Sequence, residues 1–193
     1  MSRRLLLVLC AGALGAAGLF TSGAAKATTA STPGPSGGAC QLAGTASFTP
    51  GLTSSSQSFT YTFSGNLTGC QSNNGAPGSG TVSTLEPATG TGSCSNSTTA
   101  GYSISQWADG LQTIVKYTTT GAGALVVLQG TVVPSVTVGT TTYSTTEPST
   151  PAGASALGEL TFSTASPTGV TACNTSAGLP SAVINGFIEI GQQ

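Results

Sequence analysis

The chain has 193 residues, of which only 5% are charged: four Lys or Arg, five Asp or Glu, and no His. This composition argues against nucleic acid and anionic membrane surfaces as partners, because phosphate binding needs clustered Lys and Arg. The absence of His excludes nucleophiles activated by a His base and metal sites that need His ligands.

The N-terminal residues have the composition of an export signal. Arg3 and Arg4 precede an apolar run, Leu5–Phe20, that is short for a membrane span. Ala25-Lys26-Ala27 fits the small-x-small pattern that signal peptidases recognise. We therefore predict a signal peptide over residues 1–27, cleaved after Ala27, and a secreted, extracellular or cell-wall-associated protein. The general secretory and twin-arginine routes both remain open.

Residues 28–39 read TTASTPGPSGGA and contain almost nothing to bury. This composition predicts a flexible linker before a single β domain over residues 40–193. Cleavage after Ala27 would leave Lys116 as the one basic side chain against five carboxylates, a net charge of −4. We expect a surface that is mainly neutral Thr, Ser, Gly and Gln, and no membrane contact after cleavage.

Four cysteines remain in the predicted mature chain: Cys40, Cys70, Cys94 and Cys173. An even number of cysteines in an exported protein predicts two disulfides. Three pairings are open, and Cys70–Cys94 with Cys40–Cys173 is favoured. The first bond would close a loop between neighbouring strands, and the second would tie the ends of the domain together. The cysteines show no Cys-x-x-Cys spacing, so no metal site is predicted.

Strand signals begin with short candidates at Ala46–Phe48 and continue in SFTYTFSGNL, residues 58–67. Apolar residues at odd positions predict that Phe59, Tyr61, Phe63 and Leu67 face a core. Gly65 interrupts this pattern where a bulge or a close neighbour would fit. A further short strand is expected over Gly80–Leu85.

The second half of the chain continues the β pattern. Residues 124–133 are apolar at both alternating sets of positions, which predicts a central strand covered on each face. Short strands are expected at 136–138 and 140–143. Later strands place Leu160, Phe162, Ile184, Ile188 and Ile190 inward. Eight or nine short strands predict an all-β fold, either an antiparallel β-sandwich (Ig-like or jelly-roll-like) or a small closed β-barrel.

SISQWADGLQTIVKY, residues 103–117, contains the only Trp. Asp109-Gly110 predicts a two-residue hairpin turn, which would pair Ile104 with Val115 and Tyr102 with Tyr117. A four-residue loop would keep these pairs. Either loop places Trp107 and Gln112 on the more polar face. Trp107 then either packs under a neighbouring loop or stacks on a sugar ring, with Gln112 bonding its hydroxyls.

Two carboxylates, Glu159 and Glu189, could serve as the acid/base and nucleophile of a glycosidase. Their alternation out of apolar strand faces instead predicts solvated surface charges. We predict no catalytic, cofactor-binding or metal-ligating residue. The leading hypothesis is a non-catalytic extracellular structural or binding protein of unknown ligand and partner, for which cell-wall or environmental polysaccharide and self-association are the options. The alternative is a carbohydrate-active module, with Trp107 and Gln112 as candidate contacts.

Four stretches carry a resemblance: FTYTFSGNLTGC, WADG, GALVVLQGTVVP and SPTGVTAC. Together they resemble a group of secreted actinomycete (Streptomyces-like) proteins to which no activity is assigned. The resemblance spans most of residues 40–191, and its motifs are strand ladders, a turn and cysteines. It implies export and an all-β fold, and it implies no mechanism.

Overall fold

Eleven β-strands make up almost all the regular structure of the residues that the computed structural model describes, 38–72, 75, 77–163 and 171–192. One helical turn spans residues 171–173. No helix within these ranges is long and apolar enough to cross a membrane. The strands are β1 (Gly38–Leu52), β2 (Gln57–Ser72), β3 (Gly80–Thr84), β4 (Ala88–Gly92), β5 (Asn96–Trp107), β6 (Gln112–Ala122), β7 (Leu125–Val133), β8 (Ser135–Val138), β9 (Thr141–Ser144), β10 (Ser155–Ser163) and β11 (Leu179–Gln192).

The predicted signal peptide, 1–27, lies outside the described residues, and so does most of the predicted linker. The last two linker residues, Gly38 and Ala39, already belong to β1 and pair with Ile190 and Glu189. The first strand therefore begins two residues before Cys40.

The main sheet closes into a barrel because β1 pairs with β11 on one side and with β2 on the other. Every pairing is antiparallel, in the order β1-β11-β10-β7-β6-β5-β3-β2, and β4 occupies the same position as β3 between β2 and β5. The all-β prediction is confirmed, and the closed barrel is the architecture that forms. Each connection leads to a neighbouring position in the sheet, by a short turn or by the longer segments before β10 and β11. The chain therefore folds up and down, and the described strands leave no unpaired edge in this sheet.

Two features interrupt this simple order. Residues 85–87 separate β3 from β4 and form a bulge opposite β5. Thr84 pairs with Ser103 and Thr89 with Ala100, so the segment from Thr84 to Thr89 is two residues longer than the β5 segment that it faces. Pro87 lies in this bulge, where its missing N–H costs no ladder bond. The β8–β9 hairpin forms a separate two-stranded sheet between β7 and β10.

The barrel interior holds the residues that alternation predicts to face inward. Phe59, Tyr61 and Leu67 of β2 are buried, as are Leu160 of β10 and the three isoleucines of β11, whereas Phe63 and Phe162 are partly buried against them. The prediction for β7 was half wrong. Val126 and Val132 are buried, but Leu125 and Val127 point away from the barrel and are exposed, because nothing in the described part of the chain covers the outer wall at these two positions.

Gly65 has a close neighbour, which is one of the two arrangements expected for it. It pairs with Gly44 of β1. A Cβ atom on Gly65 would lie 2.8 Å from the carbonyl oxygen of Ala43 and 2.8 Å from the ring of Phe63. Glycine at this position therefore lets the Phe63 ring lie across the β1–β2 pair.

The hairpin of residues 103–117 has a different register from the predicted one. Ile104 pairs with Ile114 and Gln106 with Gln112, because the loop contains three residues, Ala108, Asp109 and Gly110. Gly110 adopts a φ of 86°, as the third residue of such loops does. A shift of one residue turns a whole strand over. Ser103, Ser105 and Trp107 consequently face the interior, opposite to the prediction.

The favoured disulfide pairing was wrong: the bonds are Cys40–Cys70 and Cys94–Cys173. Cys40 and Cys70 lie near the ends of the paired strands β1 and β2, with their Cα atoms 4.0 Å apart. Cys94 sits in the β4–β5 turn at the opposite end of the barrel, where it meets Cys173 from the segment before β11. β1 and β2 pair as a hairpin around residues 53–56, and this register places Cys40 beside Cys70. The pattern of cysteines alone does not reveal this.

We predict that the two disulfides contribute unequally to stability. Residues in the Cys40–Cys70 bond are separated by 30 positions and those in Cys94–Cys173 by 79. Loop-closure entropy then gives about 3.6 kcal/mol for the first bond and about 4.5 kcal/mol for the second. Guanidinium unfolding of the two paired Cys→Ala variants should show the larger loss for Cys94/Cys173. An equal or larger loss for Cys40/Cys70 would contradict this ranking.

Candidate functional site

The barrel encloses a cavity of about 90 Å³ whose walls are mainly apolar. For scale, an engineered cavity of ~150 Å³ lined by Leu, Ile and Phe stays dry and binds benzene or xenon. The apolar side chains of this wall include Phe59, Val115, Val126, Leu160, Ile184 and Ile188. The interior therefore has room for a small apolar molecule.

Four hydroxyl groups meet inside this apolar wall. The hydroxyl oxygens of Tyr61 on β2 and Tyr117 on β6 are 2.5 Å apart. Thr99 donates to the Tyr61 hydroxyl at 3.4 Å and lies 2.6 Å from the hydroxyl of Thr119. Thr99 and Thr119 are cross-strand partners of β5 and β6, which explains their contact. We call these four side chains the hydroxyl cluster.

Glycines make room for the Tyr117 ring. Tyr117 pairs with Gly101 on one side and with Gly130 on the other. A Cβ atom on Gly101 would lie 3.2 Å from the Tyr117 hydroxyl, and one on Gly130 would lie 3.1 Å from the Tyr117 Cβ. Gly101 thus leaves room for the hydroxyl end of the Tyr117 side chain, and Gly130 leaves room for the backbone and Cβ atoms of its partner strand.

Burial raises the pKa of both tyrosines above the ordinary value of 10.0. For Tyr61, the hydrogen bonds with Thr99 and Tyr117 oppose this rise in pKa without cancelling it. For Tyr117, the neighbouring Tyr61 hydroxyl raises the pKa further. Both side chains therefore stay neutral at physiological pH and keep their hydroxyl protons.

Residues 145–154, which we call the plug, close the end of the barrel where β5 turns into β6. Trp107 lies at this end and is only 7% exposed. Its indole Nε1 donates to the hydroxyl of Thr113 at 2.8 Å, and the Thr113 hydroxyl lies 2.6 Å from that of Thr150 in the plug. The proposed sugar platform at Trp107 is therefore wrong, because the three-residue loop turns this ring into the core.

Gln112 faces the other side of the strand pair and anchors the plug from outside. Its backbone carbonyl accepts from the amides of Thr146 and Glu147, at 2.8 and 3.1 Å, and its side-chain amide donates to the carbonyl of Ser144 at 2.7 Å. Gln112 and Trp107 are thus not brought together. Glu147 is buried, with Oε1 accepting from the backbone N–H of Ser149 at 2.9 Å. No pattern in the sequence indicated that this carboxylate would be buried.

Residues 171–178, which we call the cap, lie over the opposite end of the barrel. The Cys94–Cys173 bond holds the cap, the amide of Ser54 donates to the carbonyl of Cys173 at 2.7 Å, and Gly178 packs against the backbone of Gly51. A second cavity of about 30 Å³ lies beneath it. Phe48, Phe162 and Ser97 line both cavities. The main cavity therefore adjoins the space under the cap.

Glu159 and Glu189 lie on the outer wall, as predicted, and line none of the cavities described above. Glu159 pairs with Phe187, and Glu189 with Leu157, so the two carboxylates are diagonal neighbours on β10 and β11. Lys116 is an exposed strand residue, and Asp109 accepts a hydrogen bond from Leu111 in its turn. No group of three or more Cys, Asp or Glu side chains that could hold a metal ion occurs in the described ranges.

Five large apolar side chains are exposed around Glu159 on the wall formed by β7, β10 and β11. Phe187 is 60% exposed. Exposed apolar groups of this kind mark interaction surfaces in soluble proteins. We call this group the outer patch; its members are Leu125, Val127, Leu157, Val183 and Phe187.

Comparison with known proteins adds no assignment: no protein family, curated protein or solved structure matches this chain. The resemblance to secreted actinomycete proteins therefore stays a prediction.

Sequence reasoning identified Tyr61 as a core residue but missed the hydroxyl cluster. One signal was present: a tyrosine at an inward position usually finds a hydrogen-bond partner for its hydroxyl when buried. Nothing separated Thr99 and Thr119 from the many exposed threonines of this chain. Their role depends on the register of β5 against β6, which the loop of residues 108–110 sets.

We predict that Thr113→Val destabilises the barrel by about 1–3 kcal/mol, because the buried Trp107 N–H loses its acceptor. Thr118→Val changes an exposed residue of the same strand and should stay within about 0.5 kcal/mol of wild type. Unfolding followed by Trp107 fluorescence measures both. The native emission should be blue-shifted and resistant to acrylamide. Equal small effects of the two variants would show that the indole hydrogen bond is unimportant.

Proposed function

We propose that this protein is a secreted, non-catalytic binding protein that holds a small, mainly apolar molecule inside its barrel. The observation that supports this most directly is an apolar cavity inside the barrel with one convergent group of hydroxyls. Apolar walls with a few placed polar groups are typical of small-molecule sites. Eight-stranded barrels have interiors of the size that either fills with side chains or holds one small ligand.

The chemistry of the wall favours binding over catalysis. The cavity is lined by alkyl, aromatic and hydroxyl-bearing side chains, and none of the lining residues is a carboxylate, an amine or an imidazole. General acid–base catalysis works best with a group whose pKa lies near the working pH. The pKa values of the Tyr61 and Tyr117 hydroxyls are raised above 10.0 and therefore lie further from the working pH.

The exterior suits an extracellular protein. Two disulfides tie both ends of the barrel, and such bonds persist in oxidising compartments. The outer wall is dominated by Thr and Ser, as in the row Thr60, Thr89 and Thr118, which are all exposed. The predicted export signal and linker complete this proposal. The carbohydrate alternative has lost its named platform, since Trp107 is buried.

The test is the binding of benzene to the purified domain of residues 28–193. At ten times its dissociation constant benzene should stabilise the fold by about 1.4 kcal/mol. This corresponds to a rise in Tm of roughly 3–5 °C for a domain of this size.

Two adjacent residues provide matched variants for this test. Val126→Phe places a ring in the cavity and should abolish the shift, whereas Val127→Phe places the same ring on the outer wall and should retain it. Circular dichroism checks that both variants fold. Absence of a shift in wild type at saturating benzene, or an equal shift in both variants, would rule out the interior as the site.

A second proposed function is self-association through the outer patch, which is favoured by the exposure of Phe187 and Val183. Sedimentation equilibrium of wild type should show a dimer or larger assembly that Phe187→Ser weakens at least tenfold. Gln41→Ser, on the strand position that pairs with Phe187, serves as the control. A wild type that remains monomeric at millimolar concentration would refute this second function.

A further inference from the structure

We infer that the ligand in the barrel interior is a neutral molecule with an apolar body and one hydrogen-bond acceptor oxygen, such as a ketone or an ether. That oxygen accepts the one hydroxyl proton that the Tyr61–Tyr117 pair leaves unused. This inference rests on the proposed function, because it names the chemical class that the same cavity selects.

The hydroxyl cluster contains one more proton than its hydrogen bonds use. The four hydroxyls form an open chain in the order Thr119, Thr99, Tyr61, Tyr117, joined by three contacts. Each hydroxyl carries one proton and each contact uses one. Three contacts therefore use three of the four protons. The described part of the chain provides no further hydrogen bond from any of these hydroxyls.

The direction of the bonds locates the spare proton. Thr99 donates its proton to Tyr61, so the contact between the two threonines must use the proton of Thr119. The contact between Tyr61 and Tyr117 uses one of the two tyrosine protons. The proton left over is therefore on one of the two tyrosines, both of which line the cavity.

A buried donor without an acceptor is costly, and the surroundings restrict what can satisfy it. One water molecule would accept the proton but would leave the apolar wall of Val115, Val126 and Ile188 without contacts. A molecule with an apolar body and one acceptor oxygen both accepts the spare proton and contacts the apolar wall. Because the lining residues include no charged group, the ligand is expected to be neutral. The cavity volume limits its body to a small ring or short chain.

The hydroxyls act as donors over the whole physiological pH range. Burial raises the pKa of Tyr61 and of Tyr117, so neither loses its proton under these conditions. Ligand binding should therefore be independent of pH between about 5 and 9, unlike recognition by a carboxylate or an imidazole.

The experiment compares two probes of similar shape, cyclopentanone and cyclopentane. Their dissociation constants are measured by NMR from the methyl shifts of Val115 and Val126. The variant Tyr61→Phe/Thr99→Val/Tyr117→Phe/Thr119→Val removes all four hydroxyls with little change in shape. Replacing every partner at once leaves no orphaned donor, which favours retention of the fold.

We expect the fourfold variant to bind cyclopentanone about tenfold more weakly than wild type and cyclopentane equally well. Retained cyclopentane binding also shows that the variant is folded. Tyr61→Phe and Tyr117→Phe alone should retain cyclopentanone binding, because each leaves one tyrosine proton to donate. An unchanged ratio of the two dissociation constants in the fourfold variant would overturn the inference and leave the proposed function standing. Failure of both probes to bind wild type would overturn both.

A second measurement uses only the wild type and does not depend on the variant folding. The carbonyl stretch of bound cyclopentanone should fall below its value in hexane, because a hydrogen bond to oxygen weakens the C=O bond. A stretch equal to that in hexane would mean that no proton is donated to the ligand, and the inference would be wrong.

Discussion

Closure of the sheet, through the pairing of β1 with both β2 and β11, is the constraint on which the rest of this structure depends. It removes the free edges of the described strands and gives each of them a face that points into the barrel. The interior that closure creates is too wide for the side chains to fill completely, and the small cavity between the walls follows from this.

Because the interior of the barrel is closed and apolar, each polar group inside it needs a hydrogen-bond partner from the protein or a ligand. Tyr61 on β2 and Tyr117 on β6 meet across the small residues Ala88 and Gly101, which lie between them in the sheet. Thr99, which contacts Thr119, donates a further hydrogen bond to Tyr61. At the plug, the hydrogen bonds from Trp107 to Thr113 and from Thr113 to Thr150 solve the same problem for an indole N–H. The two places differ in packing: side chains fill the space around the Trp107 indole at the plug, whereas the tyrosine pair borders the cavity.

The strands could be predicted from the sequence, but their arrangement in the sheet could not. Period-two alternation correctly placed Phe59, Tyr61 and the isoleucines of β11 inside, because this pattern depends only on local geometry. A sandwich and a barrel produce the same alternation, so the choice between them depended on long-range pairing. Whether Trp107 points inward depends on the length of the loop after it. A three-residue loop and a two-residue loop place opposite faces of β5 inward. The hydroxyl cluster depends on that same register and could not be predicted without it.

A crystal structure of the domain of residues 28–193 under xenon pressure would show whether the barrel interior admits an apolar ligand. We expect one xenon atom inside the barrel, in contact with Val126 and Ile188 and beside the Tyr61–Tyr117 pair. Xenon found only on the outer patch, or in neither place, would contradict the claim that the barrel interior is a site for an apolar ligand.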